Sequence, residues 1–343
     1  MSKLRVALTS DTEDNHPAYV PGWNSIGSNY DVKPAILRWE WSQYLGDLSD
    51  FFRSKDAPVT WLVRVDDGPM KDRMLEILRN EILELKNCGD EIGIHIHTLD
   101  WDQRTSKWAQ TKDPKREAEI VLRSLEMFRE KLGFSPSSVR MGWCAMSNDI
   151  MRTLDASGLI VDSSALSGSF CSGKFGRRDN IYDWSRAPCV HYHPSYDDYQ
   201  SSGNMKILEI PISGLEGGKS NVFAGLVNRF SEMKGLTRLL PAARWLNLTP
   251  HSHFYISPWW SPSIYDKIIE AYGTKARTNG KATLVGSFHA CDILDPITGN
   301  KNVTFVKYFS TIFEKISSLR GIDVAFMTLS EMAREILERK LTT

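Results

Sequence analysis

Cysteine is scarce in this chain of 343 residues, and its five copies (Cys88, Cys144, Cys171, Cys189 and Cys291) are widely scattered. Their number is odd and none stands in a Cys-x-x-Cys pair. That excludes a disulfide-stapled secreted scaffold and a zinc knuckle, and makes a reducing cytosol the expected compartment. No uncharged apolar run reaches the ~18 residues needed to span a bilayer. The opening Met1-Ser2-Lys3-Leu4-Arg5 lacks the apolar core and small-residue cleavage site of a signal peptide. A soluble, cytoplasmic protein is therefore expected. Charge of one sign is also missing: 42 Lys+Arg balance 42 Asp+Glu, so the basic excess of a nucleic-acid binder is absent. Neither a fixed-period repeat nor a low-complexity tract interrupts the chain.

What the sequence has instead is strand–helix alternation. Short apolar runs at Leu4–Ser10, Val59–Val65, Glu91–His97, a stretch ending at Arg140, and Leu159–Asp162 read as strands. Between them lie helical patterns at 34–55, 71–87, 114–132 and up to Ser157. After an irregular middle with one clear strand (Lys206–Ile212), the alternation returns: helix 262–274, strand Ala282–Phe288, helix 304–319, strand Asp323–Thr328. Such repetition predicts parallel βα units, closed as a barrel or open as a doubly wound sheet. One domain over residues 1–343 is expected, with about residues 165–260 forming an insertion that lies as a lid over one end of the barrel.

The segment Glu91-Ile92-Gly93-Ile94-His95-Ile96-His97 alternates strictly, three isoleucines on one face and the polar residues on the other. Side chains at i and i+2 of a strand point the same way, about 7 Å apart along the backbone. Two imidazoles placed so can converge on one metal ion. In parallel α/β folds the C-terminal strand ends collect catalytic groups, and here they are crowded with them. The first strand ends in Ser10-Asp11-Thr12-Glu13-Asp14, the second in Arg64-Val65-Asp66-Asp67, and the third in His95 and His97. Arg140 with Gly142 and Trp143 ends the fourth, Asp162-Ser163-Ser164 the fifth, and Phe288-His289 a later one. Two histidines and a carboxylate make a common hydrolytic zinc triad with a position left for water. The Asp11/Glu13/Asp14 cluster could supply both ligand and base, and His289 a proton for a leaving amine.

In these ordered motifs the chain resembles the polysaccharide deacetylases of carbohydrate esterase family 4, the NodB-homology fold. Thr9-Ser10-Asp11-Thr12-Glu13-Asp14 is similar to the family's Thr-Phe-Asp-Asp strand end, and Gly89-Asp90-Glu91-Ile92-Gly93-Ile94-His95 to its Gly-x-Glu-Ile-Gly-x-His lead. Arg140-Met141-Gly142-Trp143, Ser287-Phe288-His289 and Phe326-Met327-Thr328-Leu329-Ser330-Glu331 match later motifs. The resemblance implies a distorted (β/α)7 barrel, α/β in class, that hydrolyses an N-acyl group on an amino sugar with one divalent metal. Zinc is the default ion, and other first-row metals would also suit two histidines and a carboxylate. By the same resemblance Asp11 is the general base, and His95 and His97 are metal ligands together with Glu13 or Asp14. Arg140 orients Asp11, His289 is the general acid, and Trp143 and Asp162 line the sugar pocket, with Arg64 and Asp66 also facing it. Position 99 is Leu, where the family's common His-x-x-x-His spacing has its second histidine. The chain thus looks like a divergent His-x-His subgroup. Asp66-Asp67-Gly68-Pro69 imitates the first motif but falls on the second strand.

The expected substrate is an intracellular precursor of a surface polysaccharide: a nucleotide-linked, lipid-linked or oligosaccharide amino sugar. A deformylase or other amide hydrolase, and a catalytically silent sugar-binding protein, are the alternatives. The paired histidines His191/His193 and His251/His253, and His16, read as pocket lining or surface turns. Trp184, Trp259 and Trp260 with nearby tyrosines suit either sugar stacking or packing. The basic amphipathic stretch Asn221–Leu246 could touch an anionic membrane surface but more simply caps the fold. Cys291 reads as a buried structural thiol.

Overall fold

The computed structural model describes residues 1–13, 39–68, 72–103, 107–171, 182–215, 252–257, 262–293 and 301–340. Nine strands form the main sheet: β1 (Ser2–Thr12), β2 (Val59–Arg64), β3 (Glu91–Ile96), β4 (Ser138–Met141), β5 (Val161–Asp162), β6 (Leu208–Glu209), β7 (Tyr255–Ile256), β8 (Lys281–His289) and β9 (Ile322–Phe326). Their order is β6-β5-β4-β3-β2-β1-β8-β7, every neighbouring pair is parallel, and β9 pairs with β1. β1 is the hub. One edge pairs with β8 from Lys3 to Asp11; the other pairs with β9 at Ser2–Val6 and with β2 at Leu8–Thr12.

The helices are α1 (Trp39–Arg53), α2 (Arg73–Asn87), α3 (Pro114–Leu132), α4 (Asn148–Ala156), α5 (Pro262–Asn279), α6 (Val303–Ser317) and α7 (Leu329–Lys340). Local chemistry sets their ends. In α3, Pro114 occupies the first turn, Asp113 accepts from the Lys115 N–H at 3.1 Å, and Gly133 ends the helix at φ 81°. A parallel sheet covered by helices must bury both faces, and Val59-Thr60-Trp61-Leu62-Val63-Arg64 is buried throughout.

The two faces carry different cargo. Leu4, Val6 and Leu8 of β1 point outward into the large core, as does Phe288 of β8, whose ring lies 5.7 Å from that of Phe52 and 5.1 Å from that of Phe309. Ala7 and Val285 point inward and pack with Val161, Leu208, Ile210 and Met332 in a small cluster that plugs the barrel. Period 2 then sends Thr9, Asp11, Ser287 and His289 into the barrel above that plug. Packing of Phe288 on the outside thus fixes where His289 stands on the inside.

The expected fold class is found: a mostly parallel, curled α/β sheet of distorted-barrel type. The boundaries of strands and helices agree with the sequence reading to within a few residues, except that Lys206–Ile212 contributes only the two-residue β6. The segment expected as an insertion is partly wall, because it supplies β6 and β7. The chain leaving β6 crosses toward β8: the Ser213 N–H donates to Val285 O at 3.0 Å, and the Val285 N–H donates to Ser213 Oγ at 2.8 Å. Among the described residues no helix is long and apolar enough to cross a membrane. The basic stretch 221–246, His16, His251, Trp259 and Trp260 lie outside the described residues.

Candidate active site

Five strand ends meet at the top of the barrel. Register places Asp11 opposite His289, and Arg140 opposite His95. Arg140 is buried, and each N–H of its guanidinium finds an acceptor. Nη1 donates to Asp11 Oδ1 (2.8 Å) and Ser287 Oγ (2.8 Å), Nη2 to Thr9 Oγ1 (2.7 Å) and Ser163 Oγ (3.3 Å), and Nε to Ser163 O (2.7 Å). A five-donor fork so held has one position only. It leaves Asp11 Oδ1 occupied and turns Oδ2 toward His289, whose Nε2 is 4.0 Å away. Burial pushes the Asp11 carboxyl up, but Arg140, His95 and His289 together outweigh it and hold the group below its ordinary range.

Beside this base three ligand-type atoms converge. His95 Nε2 and His97 Nε2 are 3.1 Å apart, and Glu13 Oε2 lies 3.1 Å from His97 Nε2 and 3.7 Å from His95 Nε2. Among the described residues this trio forms the one metal-competent cluster, and all three members are buried. Zinc–ligand bonds of 2.0–2.1 Å in a tetrahedron put neighbouring donors about 3.3 Å apart, so the spacing fits one ion. The donor chemistry fits as well. Burial, outweighing Asp11 and Glu13, lowers the His95 imidazole to about 4, and burial followed by Arg64 lowers His97. Both rings are therefore neutral near pH 7, the form that binds metal. Burial also raises Glu13, but hydrogen bonds from His289 and His97 reverse this and keep it well below the carboxylate range.

His97 is wedged from below and beside. The Trp143 ring meets it edge-on at 4.8 Å, and a Cβ on Gly142 would lie 2.3 Å from its ring. Trp143 and Cys144 both adopt left-handed backbone (φ 54° and 56°), a conformation that costs non-glycine residues of order 1–3 kcal/mol each and clusters at functional sites. The chain turns here so that Gly142, lacking a Cβ, backs the imidazole on one side while the Trp143 ring meets it on another.

His289 stands at the end of β8, beside Asp11 on the neighbouring strand, and is the most open of the group, with 27% of its side chain exposed. Its Nε2 is 3.2 Å from Glu13 Oε1, and its Nδ1 contacts the Tyr255 hydroxyl. Burial lowers its pKa, but Glu13, Asp11 and Asp292 outweigh that and lift it to about 9. Imidazolium is the resident form.

Of the residues picked from sequence, Asp11, Glu13, His95, His97, Arg140, Trp143 and His289 come together. Asp14 lies outside the described residues, so Glu13 is the carboxylate seen at the triad. Three residues expected at the pocket stand in the layer behind the trio and Arg140. Asp162 is fully buried, accepts from Ser164 Oγ at 2.6 Å and has the Arg140 charge acting on it. Arg64 and Asp66 are also fully buried, Arg64 Nε donating to Asp66 Oδ2 (2.7 Å) and Nη1 to Glu13 Oε2 (3.2 Å). Glu13 is thereby braced from behind. Trp184 also reads as core, with no exposure and its ring 4.9 Å from that of Tyr199. Cys291 is buried as expected.

The sequence reading passed over Thr9, Ser163 and Ser287, the cradle of Arg140, and Tyr255 beside His289. Thr9 and Ser287 were within reach, since each sits two residues before a site residue on an inward-facing strand. Nothing periodic surrounds Tyr255.

No family model matches this sequence, and no curated protein matches it. Solved structures do. The chain is similar to a candidate polysaccharide deacetylase from Mycobacterium smegmatis (15% identity, 99% of this chain and 92% of that one, TM-score 0.55). A candidate polysaccharide deacetylase from Pseudomonas aeruginosa PAO1 shares 12% identity over 97% of this chain and 90% of its own, with TM-score 0.50. A candidate glycoside hydrolase/deacetylase from Parabacteroides distasonis shares 12% over 98% and 71%, with TM-score 0.58. At such identities the likeness establishes a common fold.

Proposed function

We propose that the protein is a metal-dependent hydrolase that removes an N-acyl group, in the first instance N-acetyl, from an amino sugar. The observation that carries this reading is the packing of a Glu13–His95–His97 ligand trio against a carboxylate base and an imidazolium, which stand on adjacent strand ends of one cluster. The designation of the three solved structures as candidate deacetylases points the same way. So does the resemblance of the motifs.

Glu13, His95 and His97 would hold the ion, which supplies Lewis-acid polarisation of the amide carbonyl and a lowered pKa for the attacking water. The chain's own groups carry the proton traffic. Asp11 accepts a proton from the water at Oδ2, the oxygen that Arg140 leaves open. Its partners keep it ionised, and the guanidinium fixes its direction without taking the proton. A C–O bond forms and the C–N bond breaks. His289 Nε2 gives its proton to the departing nitrogen, which leaves as an amine. The sequence of transfers returns a carboxylic acid and a free amino sugar, and Asp11 and His289 exchange protons with solvent to reset. Trp143, half-buried beside His97, offers an aromatic face that a sugar ring could meet.

The test is direct. Zinc-loaded protein is incubated with N-acetylated and N-formylated amino sugars, free and nucleotide-linked, and acetate, formate and amine are quantified. Equal release of acetate and amine supports the reading. Formate alone moves the assignment to a deformylase, and binding without release to a silent sugar-binding protein.

A further inference from the structure

We propose that the N-terminal mouth of the barrel, at the opposite end from the ligand trio, is a second small-molecule site, built for a diphosphate ester. A cavity of about 540 Å³ opens there, within the size range of small-molecule pockets. It begins where the apolar plug ends. Ala7 and Val285 close the barrel from above; two and four residues back along the same inward faces come Arg5 with Thr283, then Lys3 with Lys281. Eight residues of β1 separate Lys3 from Asp11, roughly 26 Å at strand rise, so the cavity does not belong to the catalytic cluster.

Its charge is the first argument. Among the described residues Lys3, Arg5, Lys275 and Lys281 line the cavity against one carboxylate, Glu335, in a chain whose formal net charge is zero. Arg5 is already balanced by Glu335 at 3.2 Å and Asp323 at 3.3 Å. The ammonium groups of Lys3 and Lys281 stand beside it at the same mouth. Like charge concentrated in a concave wall focuses the field on an anion.

The register is the second argument. Lys3 and Lys281 are direct neighbours on paired strands, at a backbone spacing of about 4.8 Å. Like charges placed opposite one another destabilise a sheet, and both side chains are exposed at the cavity. A bound anion converts that repulsion into a clamp. The ammonium of Lys275 rides 4.7 Å above the Tyr272 ring, which holds a third cation on the wall.

The remaining lining describes the rest of the ligand. Val190 is 63% exposed at the rim, and Tyr272, Met332 and Ile336 give an apolar floor. A single phosphate would engage one or two ammoniums and leave this floor bare. A diphosphate carrying an apolar or ring-shaped body spans both.

The experiment is calorimetric titration of the full chain with ADP, with inorganic phosphate as comparison, in wild type, Lys3→Glu, Lys281→Glu and a His95→Ala/His97→Ala double variant. Saturable binding of ADP, at least about tenfold tighter than phosphate, is expected. Each lysine reversal should weaken it at least about tenfold, while the double histidine variant keeps it. Absence of saturation below millimolar ADP overturns the proposal. So does binding that survives both lysine reversals or vanishes with the two histidines.

Discussion

The carboxyl groups of Asp162 and Glu209 stand beneath Arg140 at paired positions of β5 and β6. Asp162 Oδ2 and Glu209 Oε2 are both buried and accept from no donor, so a single proton held between the two carboxyls would satisfy both. Burial, then the adjacent Asp162 charge, raises Glu209 well above its ordinary 4.5, which puts the proton on Glu209. The pair therefore presents a single negative charge to the guanidinium that aims Asp11.

That assignment gives a stability prediction. The folded chain keeps a proton on Glu209 that the unfolded chain releases above about pH 4.5. Its contribution is complete below that pH and is lost as pH rises toward the raised folded value. Glu209→Gln keeps a donor facing Asp162 without a proton to lose. Denaturation from pH 4 to 9 should show the wild type losing stability relative to the variant as pH rises. The slope common to both comes from His289 and Asp292, raised to about 9 and about 6, which lose stability with rising pH, and from His95 and His97, whose lowered values gain it. Glu209→Ala strips Asp162 of its donor and should cost about 3 kcal/mol.

Asp11→Asn keeps an oxygen for Arg140 but cannot take a proton. Turnover should fall by at least about 10³-fold while metal content stays at wild-type stoichiometry. Elemental analysis beside a product assay checks both halves, and surviving activity would remove Asp11 from the role of base.

Removal of metal should act on stability and activity together, because Glu13, His95 and His97 are buried and bring three lone-pair donors within 3.7 Å of one another. Chelated protein should melt at lower temperature and be inactive, and one equivalent of zinc should restore both. His95→Ala and His97→Ala should each abolish tight uptake by calorimetry. A chelated protein with an unchanged melting temperature would argue against the trio as a metal site.

Much of this was legible in the sequence because strand periodicity is a strong code. The alternation in Glu91–His97 placed both imidazoles on one face, and the strand-end rule gathered Asp11, Arg140 and His289 at one level of the barrel. The same rule does not give depth. Asp162, Arg64 and Asp66 stand at strand ends too, yet they lie behind the residues that meet the site, because neutralising a buried Arg140 or Glu13 requires partners in the layer beneath. Tyr255 was invisible for another reason. It arrives on a two-residue strand after an aperiodic stretch, and only the pairing of β7 with β8 brings it to His289.

Gly142→Ala tests how tightly His97 is held. A methyl group there would come within 2.3 Å of the imidazole, and Trp143 blocks retreat on the adjoining side. The ring must shift, and zinc affinity should drop at least about tenfold, with the fold intact by circular dichroism. Unchanged affinity would mean that the strained turn at Trp143 and Cys144 serves something other than the ligand.

Tyr255→Phe probes the acid. Burial, then Asp292 and Asp11, raises the Tyr255 hydroxyl well above its ordinary 10, so it stays protonated and its oxygen can accept from Nδ1–H of the His289 imidazolium. Removing that oxygen leaves Nδ1–H without an acceptor and frees the ring to turn, so Nε2 loses its aim at the leaving nitrogen. Misalignment of this kind slows proton transfer without touching the ligand trio. The expected result is a fall of roughly tenfold in kcat with KM and metal content unchanged, against a larger loss of about 10²-fold or more for His289→Gln. A substrate with a much better leaving group needs little protonation, and with it the Tyr255→Phe deficit should shrink. If the deficit is the same for good and poor leaving groups, Tyr255 shapes the site in some way other than through the acid.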